Sequence, residues 1–559
     1  MQQMTRQNAA SSCCALCKAL MSETISTDFS MRNLQYPGRS PVAAPNGMAS
    51  TSHPLSTQAA LNILQQGGNA LDAAIAACAV QAVVEPASTG VGGDCFALYS
   101  PSGGDSIVAF NGSGRAPSGL SSEWLLEQGI SKIERQTPHS VTVPGAVDAW
   151  VQLNRDHGSM ELAQILAPAI AYAEHGYPVT QRVSTDFAAS LWALDEDARA
   201  VFAHNGEPVP LGARHSQPQL AATLRRIGEK GRDGFYKGAV ADDILGKLQG
   251  LGGTHTQDDF DRAIGDYVTP INGTFRDHQV WECPPNGQGV IALMLLNIMG
   301  GIDKFGDHPI TADRIHHEIE AGRLAYRDRG AVLADPTFSD VPVSEMLGTA
   351  YADLLRGQIM PDKRIDPLPA STLPRHASTV YITVVDRDRN ACSLINTLYE
   401  GFGSGIMAPE SGVMLHNRGM GFVVDPDHPN GIAPGKRPLH TIIPGMVTKN
   451  GRTTMSFGVM GGEYQAFGHM QFLTRHFDFD MDVQMAMDTP RFFPDPFEDV
   501  VELEEPIGAD IRDALAARGH NIRTAGRPIG GSQAIAIDWE TGLLTAGSDP
   551  RKDGCALGY

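Results

Sequence analysis

The sequence predicts an α+β protein, with a helix-rich first part giving way to a strand-rich second part at Thr379. Three observations carry that expectation. Apolar residues at helical spacing, bounded by capping residues and glycine, recur before residue 330. Residues 361–378 hold Pro361, Pro367, Pro369 and Pro374 among polar residues, an exposed and irregular loop. From Thr379 to Asp386 the run is β-branched and aromatic, hence a strand.

Residues 1–40 are expected to be a disordered extension. Cys13, Cys14 and Cys17 lie there in a short, weakly apolar patch, and no basic region leads into a sustained apolar core, so a secretory signal is not indicated. Ser56 is read as the cap of a helix to Gln66, ended by Gly67 and Gly68. Asn69 caps an alanine-rich helix, Ala70 to Val84, stopped by Glu85-Pro86. A Gly-rich turn at residues 88–93 leads into a strand from Cys95 to Tyr99. It lacks a Lys-Ser/Thr ending and opens no helix, so it is not a phosphate loop. Helices are expected at 162–175, 219–230, 257–263 and 312–329. Beyond Thr379, residues 386–390 form a turn and 391–398 return as a second strand. Gly-rich loops are expected at 401–405 and 458–462.

Composition narrows the function. The chain has 559 residues, 42% hydrophobic and 19% charged, which is globular rather than disordered. Its formal charge of −20 opposes phosphate backbones and anionic lipid, so neither nucleic acid nor a membrane surface is an expected partner. The longest apolar stretch, residues 70–84, is too short to span a bilayer and carries Asp72 and Gln81. Cys14 and Cys17 have metal-like spacing without a second half, and no histidine pair has helix-face ligand spacing beside an acid; no metal and no other cofactor is expected. The scattered cysteines fit a reducing compartment, the cytoplasm.

Taken alone, a threonine opening a strand is explained by β propensity. Short motifs give Thr379 more weight. They are Gly67-Gly-Asn-Ala-Leu-Asp-Ala-Ala74, Val84-Glu-Pro86, Val143-Pro-Gly145, Leu166-Ala-Pro-Ala-Ile170, Ala325-Tyr-Arg-Asp328, Thr379 to Asp386, Gly401-Phe-Gly-Ser-Gly405, Pro434-Gly-Lys-Arg-Pro438, Gly461-Gly462 and Gly547-Ser-Asp-Pro-Arg-Lys552. In order and spacing, from about residue 41 onward, the chain resembles the gamma-glutamyltransferase family of N-terminal nucleophile hydrolases.

That resemblance implies a four-layer αββα sandwich built from one self-cleaved chain. Residues 41–378 would form the large fragment and 379–559 the small one, together making a single intertwined domain. Cleavage would fall between Ser378 and Thr379, with Thr379 the nucleophile; Ser378 also bears a hydroxyl and is the alternative. A freed Thr379 has an α-amine of pKa roughly 7.7–8, able to accept the hydroxyl proton without a separate histidine. Gly461 and Gly462 match the family's oxyanion glycines; read without the resemblance, they are an ordinary tight turn. Thr397 matches a threonine that supports the nucleophile; its alternative is a solvent-side strand threonine.

The glutamyl readers are different. Ser113 stands where the transferases have an arginine, with Arg115 shifted along, and Gly421 stands where an aspartate holds the ammonium. Arg418, Tyr399 and the pair His440-Thr441 replace a glutamine, an asparagine and two serines. Losing a charged partner leaves a ligand charge unpaired on desolvation. Arg418 with Arg115, Tyr399, His440 and Thr441 suits a small amide bearing a carboxylate and no ammonium, as in the oxamate-amidohydrolase-like subgroup. A structural salt bridge for either arginine, and a packed histidine for His440, are the plainer readings. The expected function is therefore a self-processing amidohydrolase of a small carboxylate-bearing amide. A glutathione-hydrolase-type γ-glutamyl enzyme and an uncleaved binding homologue are the alternatives, and assembly into a homo-oligomer is left open.

Overall fold

Alternation along residues 380–385 sets the plan of the molecule. Ile382 and Val384 face one apolar cluster, while Tyr381 and Val385 face another. A strand buried on both faces must lie inside the protein. The computed structural model describes residues 32–35, 37–368 and 380–559. Most of the expected extension, and both Ser378 and Thr379, lie outside the described residues. Within 37–40, Arg39 donates to the carbonyls of Ser548 (3.3 Å) and Gly554 (2.7 Å).

Two seven-stranded antiparallel sheets organise the chain. Their strands are β1 (Val42–Ala44), β2 (Met48–Thr51), β3 (Asp94–Ser100), β4 (Val108–Gly112), β5 (Asp266–Val268), β6 (Ile271–Phe275), β7 (His278–Glu282), β8 (Val380–Val385), β9 (Ala391–Thr397), β10 (Gly445–Lys449), β11 (Arg452–Met460), β12 (Gly531–Ile537), β13 (Leu544–Ser548) and β14 (Cys555–Gly558). One sheet runs β1-β13-β12-β11-β10-β7-β6 and the other β14-β2-β8-β9-β3-β4-β5. Tyr381, Ile395, Met446, Met460 and Ile535 belong to the cluster shared by the two sheets. Thr383 reaches across from β8 to the Ser456 hydroxyl of β11 at 2.7 Å. The first part of the chain thus supplies seven of these strands, so the predicted change at Thr379 is one of proportion.

Helices α1 (Pro54–Gln65), α2 (Ala70–Val84), α3 (Ala146–His157) and α4 (Leu162–His175) share a core with Ile382, Val384 and Leu394. Helices α5 (Gly289–Met299), α6 (Ala312–Val332) and α7 (Tyr464–Asp478) share one with Val447, Phe457 and Val459. The α2 start is as expected: Asn69 Oδ1 accepts from the amides of Leu71 and Asp72, and Asp72 answers to the Asn69 amide. Such a cap contributes ~1 kcal/mol. Asp386, in the turn after β8, also accepts from the Ala70 amide at 2.8 Å, tying the β8–β9 hairpin to that helix end.

Two expectations are corrected. Helix α1 is capped by His53, whose Nδ1 accepts from the Leu55 amide, with Pro54 at the first position. Ser56 lies inside the helix and donates to the Ala77 carbonyl instead. Gly458 is not in a loop but within β11, where the Tyr381 ring would stand 2.4 Å from any added Cβ.

Candidate functional site

The site is assembled at the end of the sheets where β8 begins. Val380 is fully buried and pairs with Asn396 of β9. Asn396 donates to the Thr89 hydroxyl at 2.8 Å and the Gly90 carbonyl at 3.0 Å, which presses the Gly-rich turn against this strand end. Thr397 follows, fully buried, and its hydroxyl accepts from the Tyr399 amide at 2.8 Å. It is therefore not a solvent-side residue.

Strand β11 ends here too. Gly461 and Gly462 have φ of +126° and +58°, left-handed values that L side chains rarely adopt. Their carbonyls accept from the amides of Tyr464 and Gln465, both at 3.2 Å. The turn thus leads directly into the N-terminus of α7, whose partial positive charge favours developing negative charge. A Cβ on Gly461 would come within 3.0 Å of Gly530 Cα. Gly461→Ala keeps the amide N–H but strains its position and is expected to lower kcat by ~10²-fold, the scale for displacing a group that positions reacting atoms. Steady-state kinetics on self-cleaved protein check this, and a kcat within twofold of wild type would remove the turn from the chemistry.

Arg418 opens a short 3-10 turn, Arg418–Gly421, and is completely buried. Its guanidinium stacks 3.6 Å from the centroid of the Tyr399 ring. Nη1 donates to the Thr441 hydroxyl at 3.2 Å. Among the described residues, Nε and Nη2 have no hydrogen-bond partner. Burial lowers the Arg418 pKa, opposed by Tyr399, Asp94 and Glu463. Nearby carboxylates are already engaged: Glu400 by Arg135 at 3.1 Å and Asn417 at 2.9 Å, and Glu463 by Arg329.

His440 has both ring nitrogens occupied. Nδ1 accepts from the Ile442 amide at 3.3 Å, so Nε2 carries the proton and donates to Asp94 at 2.9 Å. Burial, reinforced by the Arg418 charge, pushes its pKa down to about 3, and the ring is neutral at pH 7. Burial works to raise Asp94, but His416, with Nδ1 at 3.5 Å, and the His440 hydrogen bond outweigh it and hold the carboxylate ionised. The Gly114 amide adds a 2.9 Å bond to the other oxygen. His440 therefore orients the segment bearing Thr441 and has no free nitrogen for base chemistry.

Sequence reasoning grouped Arg115 with these residues. Its guanidinium engages Asp266 at 3.0 Å and the Gly435 carbonyl at 3.2 Å, the structural ion pair that was the alternative. Ser113 is buried and accepts from Asn286 Nδ2 at 3.2 Å. At Gly421 an added Cβ would lie 2.8 Å from the Leu439 carbonyl, so this backbone has no room for a carboxylate side chain there.

Four participants were missed. Asp94 falls between the Gly-rich turn at 88–93 and the strand expected from Cys95, and it opens β3. Arg329 directly follows the Ala325-Tyr-Arg-Asp328 motif, and Glu463 follows Gly461-Gly462. Gln288 donates through Nε2 to the carbonyls of Thr441 (2.9 Å) and Gly462 (3.0 Å), and Arg329 Nη1 donates to its Oε1 at 2.8 Å. A buried glutamine in Asn-Gly-Gln-Gly, between a strand and an apolar helix, was the one available hint.

A family model described as gamma-glutamyltranspeptidase matches residues 56–559. The glutathione hydrolase-like YwrD proenzyme of Bacillus subtilis is 36% identical, over 91% of this chain and 98% of its own. The oxamate amidohydrolase proenzyme of Klebsiella pneumoniae is 33% identical, over 92% of this chain and 98% of its own. The crystal structure of cephalosporin acylase from Bacillus halodurans superposes with a TM-score of 0.88 at 39% identity, covering 95% of this chain and 99% of that one.

Proposed function

Because the chain belongs to the gamma-glutamyltranspeptidase family, we propose that it is made as a proenzyme, cuts itself between Ser378 and Thr379, and hydrolyses the amide of a small carboxylate-bearing substrate. It is an amide-cleaving hydrolase or acyltransferase of the N-terminal nucleophile class. In the proposed cycle the Thr379 hydroxyl attacks the substrate carbonyl while its own α-amine takes the proton. The oxyanion forms against the Gly461–Gly462 turn, the amine leaves, and water resolves the acyl-enzyme. We read the two sheets and their flanking helices as the four-layer αββα sandwich, with fragments 41–378 and 379–559 as its two intertwined halves.

Arg418 carries the substrate assignment. A buried guanidinium with two unpartnered nitrogens is costly by itself and is relieved by a planar carboxylate. Among the described residues a ligand ammonium finds no matching acid around Arg418: Gly421 offers none, and Glu400, Glu463 and Asp94 already hold their own partners. Relatives named for glutathione and for oxamate both occur, so the substrate is chosen on charge. Ammonia release from oxamate and chromophore release from γ-glutamyl-p-nitroanilide, measured side by side, test this. Turnover of oxamate is expected to dominate; robust turnover of the glutamyl anilide alone would reverse the assignment in favour of a γ-glutamyl enzyme.

A further inference from the structure

We propose that Gln288 is a positioning residue that holds the oxyanion turn and the carboxylate-reading arginine in one register. The inference rests on the roles given above to Gly461–Gly462 and Arg418. Gln288 is fully buried at the start of α5. Arg329 has only donors, so the side-chain atom facing it must be the amide oxygen. That fixes the other end: both Nε2 protons point at carbonyls, one belonging to Thr441 and one to Gly462. These carbonyls lie on the two chain segments that carry the chemistry. Thr441 receives Arg418 through its hydroxyl, and Gly462 is half of the turn.

Further contacts tie the arrangement together. The Gln288 amide donates to the His440 carbonyl at 2.9 Å, adding a second tie to the Thr441 segment. Arg329 also pairs with Glu463, the residue after Gly462, and packs over the Tyr326 ring. Tyr326 in turn donates to the Glu463 carbonyl. One glutamine thus spans the distance between where the substrate's carboxylate is read and where its oxyanion is stabilised. Displacement by ~1 Å of groups that position reacting atoms costs ~10²-fold in rate, so a clamp between them affects both binding and turnover.

Gln288→Met keeps the volume and removes both donors and the acceptor. Gln288→Glu keeps the acceptor for Arg329 but turns a carboxylate oxygen toward the two carbonyls. In each variant the kcat of the folded fraction is expected to fall by ~10²-fold and KM to rise, with Tm lowered by the unpaired buried groups. In an Arg418→Lys background the KM effect of Gln288→Met should shrink while its kcat effect persists, a separation that a purely structural role does not give. Oxamate and γ-glutamyl-p-nitroanilide are both used, so the wild type reports the substrate class and the variant-to-wild-type ratio reports Gln288. If the wild type turns over neither, the half-time of self-cleavage on a denaturing gel supplies that ratio; slowing by ~10-fold or more supports the clamp. Rates within twofold of wild type at full stability overturn it, as does a loss that only tracks the folded fraction.

Discussion

With Thr379 replaced by alanine, the protein is expected to run as one full-length band after prolonged incubation and to release no ammonia from oxamate. Both steps of the proposed cycle need the same hydroxyl, first against the preceding carbonyl and then against the substrate. Removing a nucleophile that acts as a unit with its base costs ~10⁶-fold in turnover, so activity should fall to background. Thr379→Ser keeps a hydroxyl and should still cleave. Intact-mass measurement distinguishes the outcomes: alanine protein that splits between Ala377 and Ser378 would transfer the nucleophile's role to that serine.

The Arg418→Met variant is expected to lose substrate affinity and gain stability at once. Truncating one partner of a buried charge pair costs 2–5 kcal/mol, about thirtyfold or more in kcat/KM for a carboxylate-bearing amide. In the free enzyme the same change removes a fully buried cation with two unsatisfied nitrogens, and exchanging such groups for apolar ones is neutral or stabilising. Thermal melts without substrate should therefore move upward while KM rises. A parallel fall of Tm and activity would mean that Arg418 supports the fold rather than reading a ligand.

Local signals gave most of the fold. Asn69 and its following alanines specified a capped helix because cap and helix are adjacent in sequence. The β-branched run at 380–385 specified a strand for the same reason. The misreadings arose where distant groups decide. Ser56 had cap chemistry, but His53 and Pro54 lie three and two residues earlier and start the helix first. Gly458 looked like a loop residue because the ring that requires it belongs to Tyr381, far away in sequence. Strands β5 and β6 are partly exposed at the edges of the two sheets, β7 beside β6 is only partly buried, and none has a strong apolar pattern.

The site was legible only where resemblance pointed. Thr397, Tyr399, Arg418, His440 and Thr441 do come together, whereas Arg115 is drawn to Asp266. Asp94 and Gln288 went unread because their partners lie far along the chain. The Asp94–His440 bond spans 346 positions, and the Gln288 bonds to Thr441 and Gly462 span 153 and 174. No spacing rule operates over such distances.

The ladders of the two sheets have a further consequence. Strands from either side of residue 379 alternate: β2 lies between β14 and β8, β9 pairs with β3, β1 with β13, and β7 with β10. Once the proposed cut is made, the pieces are held like interlaced fingers, and separating them requires dismantling both sheets. Denaturation then changes molecularity: the uncut Thr379→Ala chain regains its shape in a first-order process, whereas mature protein must bring two polypeptides together again. Recovery after denaturant should depend on protein concentration for the mature form alone.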